Sequence, residues 1–368
     1  MNRFWRGSRS ESTRNNRSYN VNSLIDTESL LTESAADVQI ICDIDKTYIE
    51  TRFESAVGMI KIAFEDADAK VAVNGAPLAL LTARWGAAFE GQDILGPRPL
   101  HFLSASPPQL RRVIRDKLAK DGMDWTSDTF KNQAYNLKMG RLKLLKQHVA
   151  YKTATILNHM AKAPAQSKFI LIGDNAELDA FIYCGVQMLL TGELTPAGYR
   201  EYLSLGKVEH EVLNTLEPLI TRNFGGVQVM GILIRKAPGY VFNEVPPLTD
   251  MALTFDSYFE VIMHFLAWNL CPASSLPRIT RLLHNDYGLA REELLACLAQ
   301  AQIAFTAMGR DVKDLKTAED FLRRGPPLGT LPNRTYLRPG QHRDRVDLDE
   351  KSILGLAKDW VKAIEERE

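Results

Sequence analysis

Short apolar runs closed abruptly by polar turns punctuate the chain from residue 38 onward. VQIIC (38–42) stops at Asp-Ile-Asp, PLHFLS (99–104) at Ala-Ser-Pro, and KFILI (168–172) at Gly-Asp-Asn; VQMLL (186–190) follows one helix later. Runs this short and this continuously apolar read as parallel strands buried on both faces. The segments between them have helical spacing. In 109–120, Leu110, Val113, Ile114 and Leu118 share one face, and 153–160 does likewise with Ile156, Leu157 and Met160. The Ala/Leu-rich stretch 76–86 also reads as a helix. Strands alternating with helices predict an α/β fold with a Rossmann-like, doubly wound parallel sheet.

Beyond about residue 222 the pattern changes. GVQVMGILI (226–234) reads as one more strand, and helices then dominate, including 290–309 and 349–366. In the last, Ile353, Leu356, Ala357, Trp360, Val361 and Ile364 follow helical spacing. The expected organisation is a disordered basic tail over 1–36, a catalytic α/β domain over 37–222 and a mainly helical region over 223–322. A Pro/Gly/Arg-rich linker over 323–346 and an amphipathic helix over 347–368 complete it.

Composition narrows the function classes. Among 368 residues, 45 cations balance 45 acids, so the whole molecule has no general attraction to nucleic acid, and no nucleic-acid partner is expected. Cys42, Cys184, Cys271 and Cys297 lie far apart with no CxxC pair, which argues against a zinc site or a disulfide scaffold. No apolar window of about 18 residues occurs, and the best stretch, 255–271, carries Asp256, Glu260 and His264. The first 20 residues hold five arginines and lack the apolar segment of a secretory signal. A cytoplasmic protein, peripheral at most to a membrane surface, is expected.

Candidate chemistry sits where the strands end, because a parallel sheet brings the carboxyl ends of its strands to one ligand-binding edge. Asp43 and Asp45, two residues apart, suit a nucleophile and a proton-handling partner. Ser104 closes its strand with a hydroxyl that can meet a phosphoryl oxygen. Ser106-Pro107 fits a helix start with Ser106 as N-cap. Lys152, at the head of the helix KTATILNHM, can offset charge on a transferred phosphoryl group. Gly173-Asp174 with Asp179 five residues on offers the oxygen ligands that Mg²⁺ prefers. Each feature alone has a bland alternative: a strand-capping serine, a surface lysine, an acidic helix N-terminus. Their order along the chain makes them far more specific together than apart.

These segments, ICDIDKTYIET, PLHFLSASPPQL, YKTATIL and KFILIGDNAELDAFIY, resemble the four signature motifs of haloacid dehalogenase phosphatases. More narrowly, residues 38–192 are similar to the catalytic domain of the actin-patch-type phosphatidate phosphatases, with the lipins as more distant cousins. The resemblance implies a capless or nearly capless fold of that type. It further implies a Mg²⁺-dependent phosphomonoesterase acting through an aspartyl-phosphate. Asp43 would be the nucleophile and Asp45 the acid/base. Ser104 and Lys152 would hold the phosphoryl group. Asp43, the main-chain carbonyl of Asp45, Asp174 and Asp179 would hold the metal. Lys46, Thr47 and Ser106 join them as substrate-binding candidates. Lys46 stands where such proteins often carry an acid.

The implied substrate is phosphatidate or a related lipid phosphate in an anionic membrane. A soluble or protein-bound phosphomonoester and a non-catalytic protein keeping the fold are the alternatives, and the complete acid motifs argue against the last. Between Asp128 and Asp174 there is no acid but eight cations, with Lys138, Arg141, Lys143 and Lys146 clustered. Such a stretch reads either as a solvated basic face or as a surface that attracts anionic lipid.

Overall fold

The computed structural model describes residues 21–30, 37–50, 70–86, 97–132, 148–324 and 348–366. The first 20 residues, the cluster Lys138 to Lys146 and most of the 323–346 linker lie outside them.

Seven strands form one sheet: β1 (Ile25–Ser29), β2 (Val38–Asp43), β3 (Leu100–Ser104), β4 (Ser127–Lys131), β5 (Lys168–Asp174), β6 (Gln228–Arg235) and β7 (Ala252–Phe255). Their spatial order is β1-β4-β3-β2-β5-β6-β7, and every pairing is parallel except β1 with β4. From β2 the chain winds outward through β3 and β4, then returns to the other side of β2 through β5. The order reverses at β2, which is where doubly wound sheets bind ligands.

Alternation along the central strands divides the core in two. Ile40, Cys42, Ile170, Ile172 and Leu233 face one way. They pack with α1 (Ala76–Trp85), α2 (Arg111–Lys120), α7 (Tyr258–Ala267), α8 (Leu276–Asn285), α9 (Arg291–Ala307) and α10 (Lys313–Arg323). Ile41, Phe169, Leu171, Ile232 and Ile234 face the other way. There they meet α3 (His148–Lys162), α4 (Asp179–Thr191), α5 (Pro196–Leu205), α6 (His210–Ile220) and α11 (Glu350–Glu365). All four cysteines are buried and none is in a disulfide.

Four expectations need correcting. VQMLL is not a strand but part of α4, whose Phe181, Ile182, Tyr183, Cys184, Val186 and Met188 are all buried. A helix buried on most sides is as continuously apolar as a buried strand, so periodicity could not separate them. The 1–36 segment is not wholly unstructured, because Ile25–Ser29 pairs with β4 along the sheet edge. The boundary at 222 does not divide the fold, since β6 and β7 continue the same sheet. Nor is the C-terminal helix set apart: Trp360 meets the Phe181 ring edge-on at 5.8 Å, and Glu350 accepts a hydrogen bond from the Thr195 backbone at 2.7 Å.

β4 was missed because its sequence, SDTFK, is polar. Its burial rests on polar partners instead: Asp128 takes Arg115, Arg111 and the Trp125 indole, and Ser127 bonds His101 at 2.7 Å. A network of ion pairs and hydroxyl bonds of this kind can replace apolar packing inside a fold.

Candidate active site

The carboxyl edge of the sheet collects Asp43, Ser104, Asp174 and Arg235, each the last residue of its strand. After Asp43 the chain turns sharply. Lys46 adopts φ 59°, Tyr48 and Ile49 both donate their N–H to the Ile44 carbonyl at 2.9 Å, and Lys46 N–H donates to Ile49 at 2.8 Å. A left-handed conformation at a lysine costs about 1–2 kcal/mol, so the turn needs outside support. Two residues far along the chain give it. Arg235 Nη1 donates to the Lys46 carbonyl at 2.6 Å, and Tyr258 Oη donates to the Thr47 carbonyl at 2.9 Å.

The turn fixes the acids. Asp43 is 1% exposed, and neither of its carboxylate oxygens accepts a hydrogen bond, although Lys152 Nζ stands 3.2 Å from Oδ1. Asp45 Oδ2 accepts from the Ser104 and Ser106 hydroxyls at 2.9 and 3.1 Å. Ser106 is therefore not the N-cap expected of it: the next helical turn begins at Pro108, and the serine is occupied by Asp45. Lys152 lies at least one turn inside α3 rather than at its head, because the helix already includes His148.

Lys152 is shared by three carboxylates. It pairs with Asp179, lies 2.8 Å from Glu177 Oε2, and reaches Asp43. Asp174 accepts from the backbone of Ala176 at 2.6 Å and from the Thr47 hydroxyl at 3.2 Å. Gly173 allows this closeness, since a Cβ there would lie 2.8 Å from that of Asp179. Four buried or half-buried acids thus surround one lysine, and the electrostatics follow. Burial drives the Asp43 carboxyl well above its usual range against the pull of Lys152, with Asp179, Glu177 and Asp174 adding repulsion. Burial, with Asp179 beside it, lifts Asp174 to about 7. Glu177 goes the other way, to about 2, because Lys152 outweighs its burial. Burial also raises Asp45, partly opposed by its bond from Ser104.

One oxygen each of Asp43, Asp174 and Asp179 fall within 4.8 Å of one another. Three converging carboxylates with excess negative charge, one of them without a hydrogen-bond donor, fit a hard divalent cation. Of the residues marked in the sequence, the structure brings together Asp43, Asp45, Thr47, Ser104, Ser106, Lys152, Asp174 and Asp179. The Lys46 ammonium instead lies over the Tyr240 ring, 4.8 Å from its centre.

Residues 38–192 match the family model described as phosphatidate phosphatase APP1, catalytic domain. Over this segment the chain is similar to the catalytic domain of that family, a phosphatase. No curated protein and no solved structure matches the chain. The matched span ends before β6, yet the phosphatase turn leans on Arg235 and Tyr258 beyond it. Sequence reasoning missed both of these and the role of Glu177. Glu177 was visible only as one acid among several at a helix start. Arg235 did carry a signal: GILI-Arg ends an apolar run in a polar residue, as KFILI-Gly-Asp does.

Proposed function

We propose that the chain is a Mg²⁺-dependent lipid phosphate phosphatase, acting on phosphatidate or a close relative through an aspartyl-phosphate on Asp43. The observation that carries the reading is Asp43 itself: buried at the sheet's carboxyl edge, without a hydrogen-bond donor, facing Lys152 and two residues from a second acid. Asp43, Asp174, Asp179 and the main-chain carbonyl of Asp45 would hold Mg²⁺, which when bound offsets charge on the phosphoryl oxygens.

The protein's own groups divide the remaining work. An Asp43 oxygen attacks phosphorus as the bond to the leaving alcohol breaks. Asp45, whose carboxyl burial pushes upward against the bonds from Ser104 and Ser106, gives that alkoxide its proton. Asp45 then takes a proton from water, the water oxygen attacks the aspartyl-phosphate, and inorganic phosphate leaves with Asp43 restored. Ser104 and Ser106 hold Asp45 in place, and Lys152 supplies a fixed positive charge beside the nucleophile.

The lipid part of the reading draws on the family matched and on the acid-free basic stretch before Asp174. No described helix is long and apolar enough to cross a membrane. The test is phosphate release from phosphatidate vesicles and from soluble monoesters, with and without Mg²⁺, beside Asp43→Asn. Metal-dependent release lost in a well-folded Asp43→Asn protein is expected. More than a few per cent of activity remaining in that variant would remove Asp43 from the role.

A further inference from the structure

We propose that the cavity between the 239–243 loop, the start of α4 and the C-terminal helix α11 receives an acyl chain of the substrate. It encloses about 480 Å³, within the roughly 300–1,000 Å³ typical of small-molecule sites. Its walls are mostly apolar: Leu178, Phe181, Tyr240, Phe242, Trp360 and Ile364. The inference rests on the lipid phosphatase reading above and adds where the lipid's apolar part goes.

Continuity with the active site selects this occupant. Glu177 lines the cavity and also binds Lys152 at 2.8 Å, so the loop after Asp174 forms a wall of both spaces. Tyr240 lines it too and carries the Lys46 ammonium on its ring. Asn175 fastens the two loops together: its side chain donates to the Tyr240 carbonyl at 3.1 Å and accepts from the Ala237 N–H at 2.7 Å. A ligand with its phosphate at Asp43 therefore has an apolar space on the far side of the wall that Glu177 shares.

The rim supports the same occupant. Tyr240 and Val241 are 46% and 66% exposed, two adjacent large apolar side chains left in solvent at the cavity mouth. Together with the enclosed apolar walls they make one apolar path from solvent inward, which suits a chain drawn from a lipid surface. Trp360 and Ile364 come from a helix far outside the matched segment, so this space is built by the chain's own C-terminal part.

The test is a chain-length series: glycerol 3-phosphate, then phosphatidates with two chains of four, six and eight carbons, kept below their aggregation limits. In the wild-type protein kcat/KM should rise with length by up to about fourfold per methylene that enters the cavity, then level off. Ile364→Trp, which fills the cavity, should flatten the rise. Val241→Asp at the exposed rim, where folding is not at stake, should reduce it several-fold. A second readout needs no turnover: a chain-brominated alkyl phosphonate should quench tryptophan fluorescence in the wild type, and much less in Trp360→Phe. A wild-type series that is flat while glycerol 3-phosphate is turned over, as expected if a protein segment fills the cavity, overturns the inference and leaves the phosphatase reading standing. So does a series equally steep in both variants, or quenching that survives Trp360→Phe. Absence of turnover on every member with Mg²⁺ supplied strikes the phosphatase reading instead, and the quenching arm then decides the cavity alone.

Discussion

Replacing Arg235 with Met should slow the enzyme far more than it unfolds it. The methionine keeps the apolar stem, so the packing change is small. What is lost is the 2.6 Å bond from Nη1 to the Lys46 carbonyl and the 3.3 Å pair with Glu50. A hydrogen bond from a charged donor is worth about 1.5–3 kcal/mol. The Glu50 carboxylate is partly exposed, so that pair adds less than about 1 kcal/mol. The turn it restrains also carries about 1–2 kcal/mol of strain at Lys46, φ 59°, which works to open it once the bond is gone. A restraint of about 2–3 kcal/mol needed in the transition state corresponds to roughly 30–150-fold in kcat/KM, at about 1.4 kcal/mol per factor of ten. Tyr258→Phe removes a neutral bond to the neighbouring Thr47 carbonyl, worth about 1 kcal/mol, and should cost roughly fivefold. The assay is steady-state turnover of an aryl phosphate at saturating Mg²⁺, with urea midpoints alongside. Arg310→Met is the control. Arg310 also donates to a backbone carbonyl, that of Leu266 at 3.0 Å, but within the helical region, so it should lose stability without losing kcat. If Arg235→Met turns over within threefold of wild type, or if Arg310→Met falls equally, the turn does not depend on the strand-end arginine and the reasoning fails.

Three further outcomes are expected. Asp45→Asn should cut turnover of alkyl phosphates by about 10²–10⁴-fold and spare an activated aryl phosphate, whose leaving group needs no proton; equal losses would give Asp45 another role. Asp174→Ala should raise the Mg²⁺ concentration for half activity, read from a metal titration, and an unchanged titration would point to a different carboxylate. Stability should fall in acid as buried imidazoles take up protons: burial lowers His264 to about 4, and burial with nearby Lys162 lowers His159 to about 4. A pKa depressed on folding stabilises above the unfolded value of about 6.5, and that contribution is lost as pH falls from there through about 4, at about 1.4 kcal/mol per unit for each histidine. His264→Phe should reduce the pH slope of the urea midpoint across that window, and an unaltered slope would mean His264 is not neutral in the fold.

The residues that gather at the sheet's carboxyl edge were more legible in the sequence than the individual elements around them, for a physical reason. Asp43, Ser104 and Asp174 each terminate a strand buried on both faces, so each follows an apolar run that marks the sheet edge directly. The helix at 76–86 and those at 290–309 and 349–366 were visible too, through composition and spacing. β1 and β4 were not, because one is a polar edge strand and the other is buried through ion pairs and hydroxyl bonds that leave no hydrophobic pattern. α4 was misread in its second half because burial on most sides erases the helical stripe. The roles of Ser106 and Glu177 depend on partners 61 and 25 residues away, Asp45 and Lys152, and no local pattern encodes such pairings.

The same logic explains why the catalytic segment cannot be cut at its matched boundary. A parallel sheet buries both faces of its central strands, so β5 needs a neighbour on the side away from β2, and β6 supplies it over the full length from Lys168 to Asp174. That pairing sets Asp174 level with Arg235, and so places a carboxylate of the buried acidic cluster and the turn-holding guanidinium on adjacent strand ends. Removing residues after 192 would expose the unpaired N–H and C=O groups of β5 and the apolar face that α7 covers. It would also release the Lys46 and Thr47 carbonyls together. A fragment ending there should therefore lose both solubility and turnover. Co-expressing the missing half as a separate chain should restore them if the half docks through β6. Recovery of turnover by the short fragment alone would show that the turn after Asp43 stands without its distant supports.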